Sequence, residues 1–157
     1  MVSEGHLQKV LAYIGLAHAE GGMLLVGGHR DTVPGRCAEG YFLEPTVFKN
    51  LSFDCRVNRE EIFGPVVTLM PFDTDKEALK MADSTDYDFS ATIWTRDLQC
   101  AYRVAHQLHS GIVWINTWLH RDLRTPFGGM KNSGLGREGG LEVLHFFTEA
   151  QNVCVKL

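Results

Sequence analysis

This 157-residue chain is poor in several things, and each shortage excludes a class of function. No apolar run approaches the length of a membrane span, so a membrane partner is not expected. Lys and Arg number 15 against 19 Asp and Glu, a net charge of −4, which leaves no basic surplus to hold nucleic-acid phosphates. The opening Met1-Val2-Ser3-Glu4-Gly5-His6 has no basic start and no apolar stretch, so a secretory signal is not expected. The four cysteines, Cys37, Cys55, Cys100 and Cys154, are too far apart for a CxxC metal or redox pair. A chain of this size hides roughly two-thirds of its surface on folding and does not need disulfide staples, so a reducing, cytoplasmic setting is expected. There is no G-x-S-x-G, no P-loop, no internal repeat and no low-complexity tract.

What remains is an ordinary globular composition, 45% hydrophobic and 22% charged, enough for one domain or most of one. Leu7, Val10, Leu11, Ile14 and Ala17 recur at helical spacing, with Ser3 as N-cap and Gly21-Gly22 as stop. Met23–Val26 reads as a short buried strand, and Tyr41–Phe48 as extended with Pro45 pushing part of it to an edge. Val66–Phe72, Ser90–Trp94 and Ile112–Ile115 read as strands. Thr74-Asp75-Lys76-Glu77 is a capping box opening a helix to about Asp83, and Leu98–Leu108 is a second helix. Residues 118–136 read as a long loop, 137–147 as a helix and 152–157 as a terminal strand. The alternation of strands and helices predicts an α/β sheet with helical crossovers.

Few local patterns carry chemistry. Gly134-Leu135-Gly136-Arg137-Glu138-Gly139 matches G-x-G-x-x-G, but the dinucleotide reading needs a strand before it and a βαβ unit after it. A loop precedes it and only 18 residues follow, so a flexible loop is favoured. His106 and His109 share a helix with no converging ligands, so no metal site is assigned. No cysteine has visible activating partners, and no catalytic residue is assigned. Glu60 and Glu61 fit either a ligand grip or an exposed first helical turn, and Phe63 beside Gly64-Pro65 is either a ligand shelf or core. Arg121 and Arg124, three apart in a loop, suit bidentate capture of a carboxylate. They equally suit pairing with Asp122 or with solvent.

Two blocks stand out together: Glu60-Glu61-Ile62-Phe63-Gly64-Pro65, and Pro126-Phe127-Gly128-Gly129-Met130-Lys131-Asn132-Ser133-Gly134. In this order they resemble the C-terminal third of the aldehyde dehydrogenase superfamily, and the likeness runs over residues 2–157. The stretch Trp118–Phe127 and the ending Asn152–Leu157 are similar to the muconic semialdehyde dehydrogenases, of the 2-aminomuconic and 2-hydroxymuconic types. The resemblance implies part of a three-layer α/β catalytic domain over residues 1–147, built on a mixed or parallel sheet. It also implies an oligomerisation strand over 148–157. Glu61 would hold the nicotinamide-side ribose hydroxyls of NAD, with Phe63 packed beside that end. Phe127 would line the aldehyde tunnel with Asn116, Thr117 and Trp118 nearby. Arg121 would bind the substrate carboxylate, supported by Arg124.

The family reaction uses a cysteine nucleophile on the aldehyde, hydride transfer to NAD, and a glutamate-activated water that releases the acid. The resemblance puts that cysteine, that glutamate and the cofactor-phosphate loop ahead of the segment that begins here. Tyr87-Asp88-Phe89 also departs from the family's Tyr-Gly-Leu. Two expectations result. One is the C-terminal portion of an NAD-dependent enzyme for a carboxylated semialdehyde, inactive alone. The other is a non-catalytic truncated paralogue that assembles with a full-length subunit, or with itself, through its terminal strand. Either would expose an apolar patch and tend to self-associate.

Overall fold

Helix α1, Glu4–Ala19, organises the first half of the chain in a computed structural model that describes residues 1–157. Ser3 caps it, its Oγ accepting the His6 amide at 3.1 Å. Leu7, Val10, Ile14 and Ala17 form one buried face, as their spacing predicts.

The chain divides into two compact units, residues 1–73 and 74–157. In the first, α1 is followed by β1 (Met23–Val26), β2 (Arg30–Asp31), β3 (Phe42–Leu43), β4 (Thr46–Lys49), the short α2 (Arg56–Arg59) and β5 (Val66–Leu69). The main sheet runs β1-β4-β5, with β1 antiparallel and β5 parallel to the central β4; β2 and β3 form a separate antiparallel pair. Phe48 is fully buried and packs with the α1 face, Leu43, Leu51 and Val57 into one core.

One strand expectation needs correction here, and another holds in part. β1 is a strand but not a buried one: Met23, Leu25 and Val26 are each about half exposed. Apolar runs signal burial only when something covers both faces. Pro45 marks an edge only on its N-terminal side, where β3 belongs to a two-stranded sheet. It lies just before β4, so its missing N–H falls outside the ladder and the strand it introduces is central.

The second unit holds α3 (Asp75–Ala82), β6 (Tyr87–Asp88), β7 (Ser90–Ile93), α4 (Leu98–Ala105), β8 (Ile112–Ile115), β9 (Met130–Lys131) and α5 (Glu142–Phe147). Thr74 caps α3 by accepting the Glu77 amide at 3.2 Å, as the capping box predicts. β7 and β8 pair in parallel, joined through α4; β6 and β9 pair antiparallel. The architecture is therefore mixed α/β with parallel and antiparallel pairing.

Three expectations fail in this unit. The long loop contains β9. The last helix starts at Glu142, because Gly139 and Gly140 sit at φ +83° and +55°, outside the right-handed helical region. Residues 152–157 form no strand in the single chain and are exposed, since a strand's backbone groups need a neighbour. No helix is long and apolar enough to cross a membrane.

Candidate functional site

The Glu60–Pro65 segment of the first unit is held from α1. Glu60 is fully engaged. Arg56 Nε donates to its Oε1 at 2.7 Å, and Arg56 Nη2 and the Tyr13 hydroxyl donate to its Oε2 at 3.0 and 2.7 Å. These bonds, the arginine's first and the tyrosine's second, lower its carboxyl from an ordinary 4.5 to about 2. Glu60 is thus paired within the chain, which separates it from its neighbour. Glu61 is different: its side chain is exposed and makes no hydrogen bond or ion pair, while its backbone carbonyl accepts Lys9 Nζ at 3.1 Å.

Phe63 sits at φ +58°, a conformation that costs a bulky residue about 1–3 kcal/mol and persists only when its surroundings impose it. Two neighbours impose it here. His6 Nε2 donates to the Phe63 carbonyl at 2.7 Å. Gly64 lies so close to α1 that a Cβ there would come within 2.6 Å of the Val10 side chain. Phe63 is left 69% exposed, so it is not core. Sequence reasoning missed His6 and Lys9. Their one signal is the His6, Lys9, Tyr13 spacing on the polar face of α1, and nothing local says that this face meets residues some fifty positions away.

In the second unit the candidate residues follow β8. Asn116, at φ +54°, uses its whole carboxamide on one neighbour: Oδ1 accepts the Thr95 amide at 2.9 Å and Nδ2 donates to the Thr95 carbonyl at 2.8 Å. It staples the ends of β7 and β8 and lines an open hollow of about 600 Å³ with Trp94, Leu98 and Ala101. Trp114 Nε1 donates to the His120 carbonyl at 2.8 Å, pinning the turn that carries Thr117, half-buried, and Trp118, 68% exposed.

The two arginines separate. Arg124 folds back on Asp122, with Nη2 to Oδ2 at 2.6 Å and Nε to both oxygens at 2.9 and 3.1 Å. This lowers the Asp122 carboxyl and raises the arginine. The local-pairing alternative therefore holds for Arg124. Arg121 takes neither Asp122 nor solvent alone. Its guanidinium lies 3.7 Å from the centroid of the Phe127 ring, and its Nη2 donates to Glu138. Phe127 also meets Phe89 edge to face at 5.4 Å. Glu138 carried no functional reading in the sequence beyond its place in the glycine-rich match. That match is not a dinucleotide loop: α5 begins only after Gly140, and no further strand follows.

Asp88, where the family pattern has glycine, is buried. Its Oδ1 accepts the Ser110 hydroxyl at 3.2 Å, and its amide donates to Ser133 Oγ at 2.9 Å. Its Oδ2 makes no hydrogen bond of ordinary geometry but lies 2.6 Å from Lys131 Nζ, so that contact is ionic. Lys131 also donates to the Asp83 and Thr85 carbonyls at 3.0 and 2.9 Å. Burial is the first cause that raises the Cys55 thiol, which disfavours its thiolate. His109 faces Asp83 at 3.0 Å, and no group of three His, Cys, Asp or Glu converges as metal ligands would.

The aldehyde dehydrogenase family model matches residues 1–153. The 2-hydroxymuconic semialdehyde dehydrogenase of Pseudomonas sp. (strain CF600) is 47% identical over 157 residues, and the 2-aminomuconic 6-semialdehyde dehydrogenase of Pseudomonas sp. is 48% identical over the same length. The 2-aminomuconic semialdehyde dehydrogenase of Danio rerio is 47% identical over 158 residues. These alignments take in 99–100% of this chain but 32% of each relative, so the chain spans about a third of their length. Among solved structures, a mutant indole-3-acetaldehyde dehydrogenase of P. syringae in complex with NAD+ and IAA superposes with a TM-score of 0.91 at 36% identity. That match covers 100% of this chain and 31% of the other. The NAD+ complex of an aldehyde dehydrogenase from Bacillus cereus gives 0.88 at 39% identity, over 95% and 29%. With its family match running almost end to end, this chain belongs to the aldehyde dehydrogenase family.

Proposed function

We propose that this chain supplies the carboxylate-binding portion of an NAD-dependent dehydrogenase for a carboxylated semialdehyde of the 2-aminomuconic type. Arg121 carries the reading. It is the arginine of the pair not spent on a sequence neighbour, and an aromatic face holds its guanidinium plane. A flat cation whose Nε and Nη1 donors remain open is suited to a flat carboxylate. Phe127 beneath it supplies the apolar wall, and Thr117 and Trp118 stand on the same loop. Arg124 acts indirectly, by shaping the turn through Asp122.

NAD fits the other candidate residues. Glu61 has an exposed carboxylate free to accept two ribose hydroxyls, and the exposed Phe63 ring gives a surface beside them. When bound, the cofactor accepts the hydride. On this reading the chain is expected to oxidise nothing by itself: burial raises the Cys55 thiol, and the Cys100 thiol faces the Asp75 carboxylate, which disfavours a thiolate.

Titration with cis,cis-muconate, a dicarboxylate of the same carbon skeleton, tests the reading. Binding should fall about tenfold or more in Arg121→Gln, as expected when a charge-assisted fork is lost. Equal binding by the variant sinks the carboxylate assignment. In parallel, any NAD-binding signal should vanish in Glu61→Gln, and no NADH should appear at 340 nm with aldehyde.

One observation favours a second reading, assembly with itself or a full-length subunit. Val153, Val155 and Leu157 alternate, and all are exposed in the single chain. A strand of that pattern gains its backbone bonds by adding to another sheet edge. Co-purification with a longer homologue, lost on removing residues 148–157, would support it; independent elution would not.

A further inference from the structure

Phe127 and Glu138 form an isolated antiparallel bridge, with Phe127 N–H to Glu138 O at 2.7 Å and Glu138 N–H to Phe127 O at 2.8 Å. Both residues also hold Arg121. The Phe127 ring lies beneath the guanidinium, and the Glu138 carboxylate takes its Nη2. The aromatic floor and the anionic edge of the arginine's seat are therefore carried by one backbone rung. Nε and Nη1 of Arg121 make no hydrogen bond, so part of the fork is open.

From this geometry we infer that Glu138 is a built-in counter-carboxylate. It keeps Arg121 paired and aimed while no ligand is present, and it competes with an arriving carboxylate. The inference rests on the proposed carboxylate role of Arg121. Exposure makes the pair exchangeable: the side chains of Arg121 and Glu138 are 41% and 59% accessible, and ion pairs in water are weak enough to be displaced. Arg124 shows the opposite design, with three side-chain contacts to a carboxylate two residues away in the same turn. Glu138 acts only through Arg121, so it is a positioning residue, and its charge sets how readily the site accepts and releases anions.

A purely structural Glu138 and a counter-carboxylate differ in sign. Glu138→Gln keeps the size and an acceptor oxygen but removes the charge. Competition predicts that this variant binds cis,cis-muconate about two- to fivefold tighter than the parent, the scale of an exposed ion pair. Binding of the neutral analogue adipamide should not change. The gain should disappear when Arg121→Gln is added. Glu138→Ala, read beside thermal melts, guards against a local failure to fold and should also not bind more weakly than the parent.

If both Glu138 variants bind muconate equally or more weakly while Arg121→Gln loses binding, the counter-carboxylate is overturned and the carboxylate site stands. If Arg121→Gln binds like the parent, or no form binds, both fall together.

Discussion

The two units stabilise themselves by different means. Residues 1–73 contribute Leu7, Val10, Ile14, Ala17, Leu43, Phe48, Leu51 and Val57 to a buried apolar core; residues 74–157 contribute only Ala101 and Trp114. In place of a larger core, the second unit buries Asp88 against Lys131 and Ser110, and ties its loop after β8 with side-chain-to-backbone bonds. The first unit is organised by area removed from water, the second by polar satisfaction. The candidate carboxylate seat lies in the second, where the chain is positioned by bonds that can be exchanged.

The largest effect should come from the apolar core. Phe48→Ala deletes a fully buried ring and should cost about 3–5 kcal/mol in denaturant unfolding. Lys131→Met should follow. It leaves the Asp88 carboxylate buried without its cation, but Lys131 is one-third exposed, so the full buried-pair penalty is discounted to about 1–3 kcal/mol. Adding Asp88→Asn should recover part of that loss. If Lys131→Met costs more than Phe48→Ala, the contrast between the units is reversed. A smaller effect, about 1 kcal/mol, is expected from Ser3→Ala or Thr74→Ala, which each remove one N-cap.

The smallest is electrostatic and local. Glu60 is depressed to about 2 in the folded chain, against 4.5 ordinarily. A depressed folded value means that its contribution is present above pH 4.5 and disappears as pH falls from there towards 2. Carbon-detected NMR titration should show a midpoint near 2 that moves up towards 4.5 in Arg56→Gln. An unshifted midpoint in the parent would remove the basis for calling Glu60 paired.

Much of this was legible in the sequence, for reasons that differ by residue. Helices α1 and α3 announce themselves because caps and periodicity are local signals, and the parallel β7–β8 pair follows from strand, helix, strand in order. The exposure of β1 was not legible, because burial depends on what lies across the sheet. Neighbouring Glu60 and Glu61 are chemically alike, and only the distant Tyr13 and nearby Arg56 decide which is free. Glu138 stayed hidden for the same reason. Its partner Arg121 is seventeen residues away, and the bridge that joins them runs through Phe127. The expected terminal strand does not form in the single chain, where residues 152–157 stay exposed and pair with none of the sheet edges. That exposure, with Trp94, Leu98 and Phe147 also uncovered, predicts binding of a hydrophobic dye and self-association; a monodisperse monomer that ignores the dye would contradict it.

The lone rung between Phe127 and Glu138 has a kinetic consequence. Two amides, each bonded to the other residue's carbonyl, cannot open independently. Their hydrogen exchange should be protected together and lost together, on one timescale. Any event that breaks the rung removes the ring from under Arg121 and the anion from its edge at once. The seat therefore works as a unit with two states, assembled or dispersed, and amide exchange at two positions is enough to count how often it disperses.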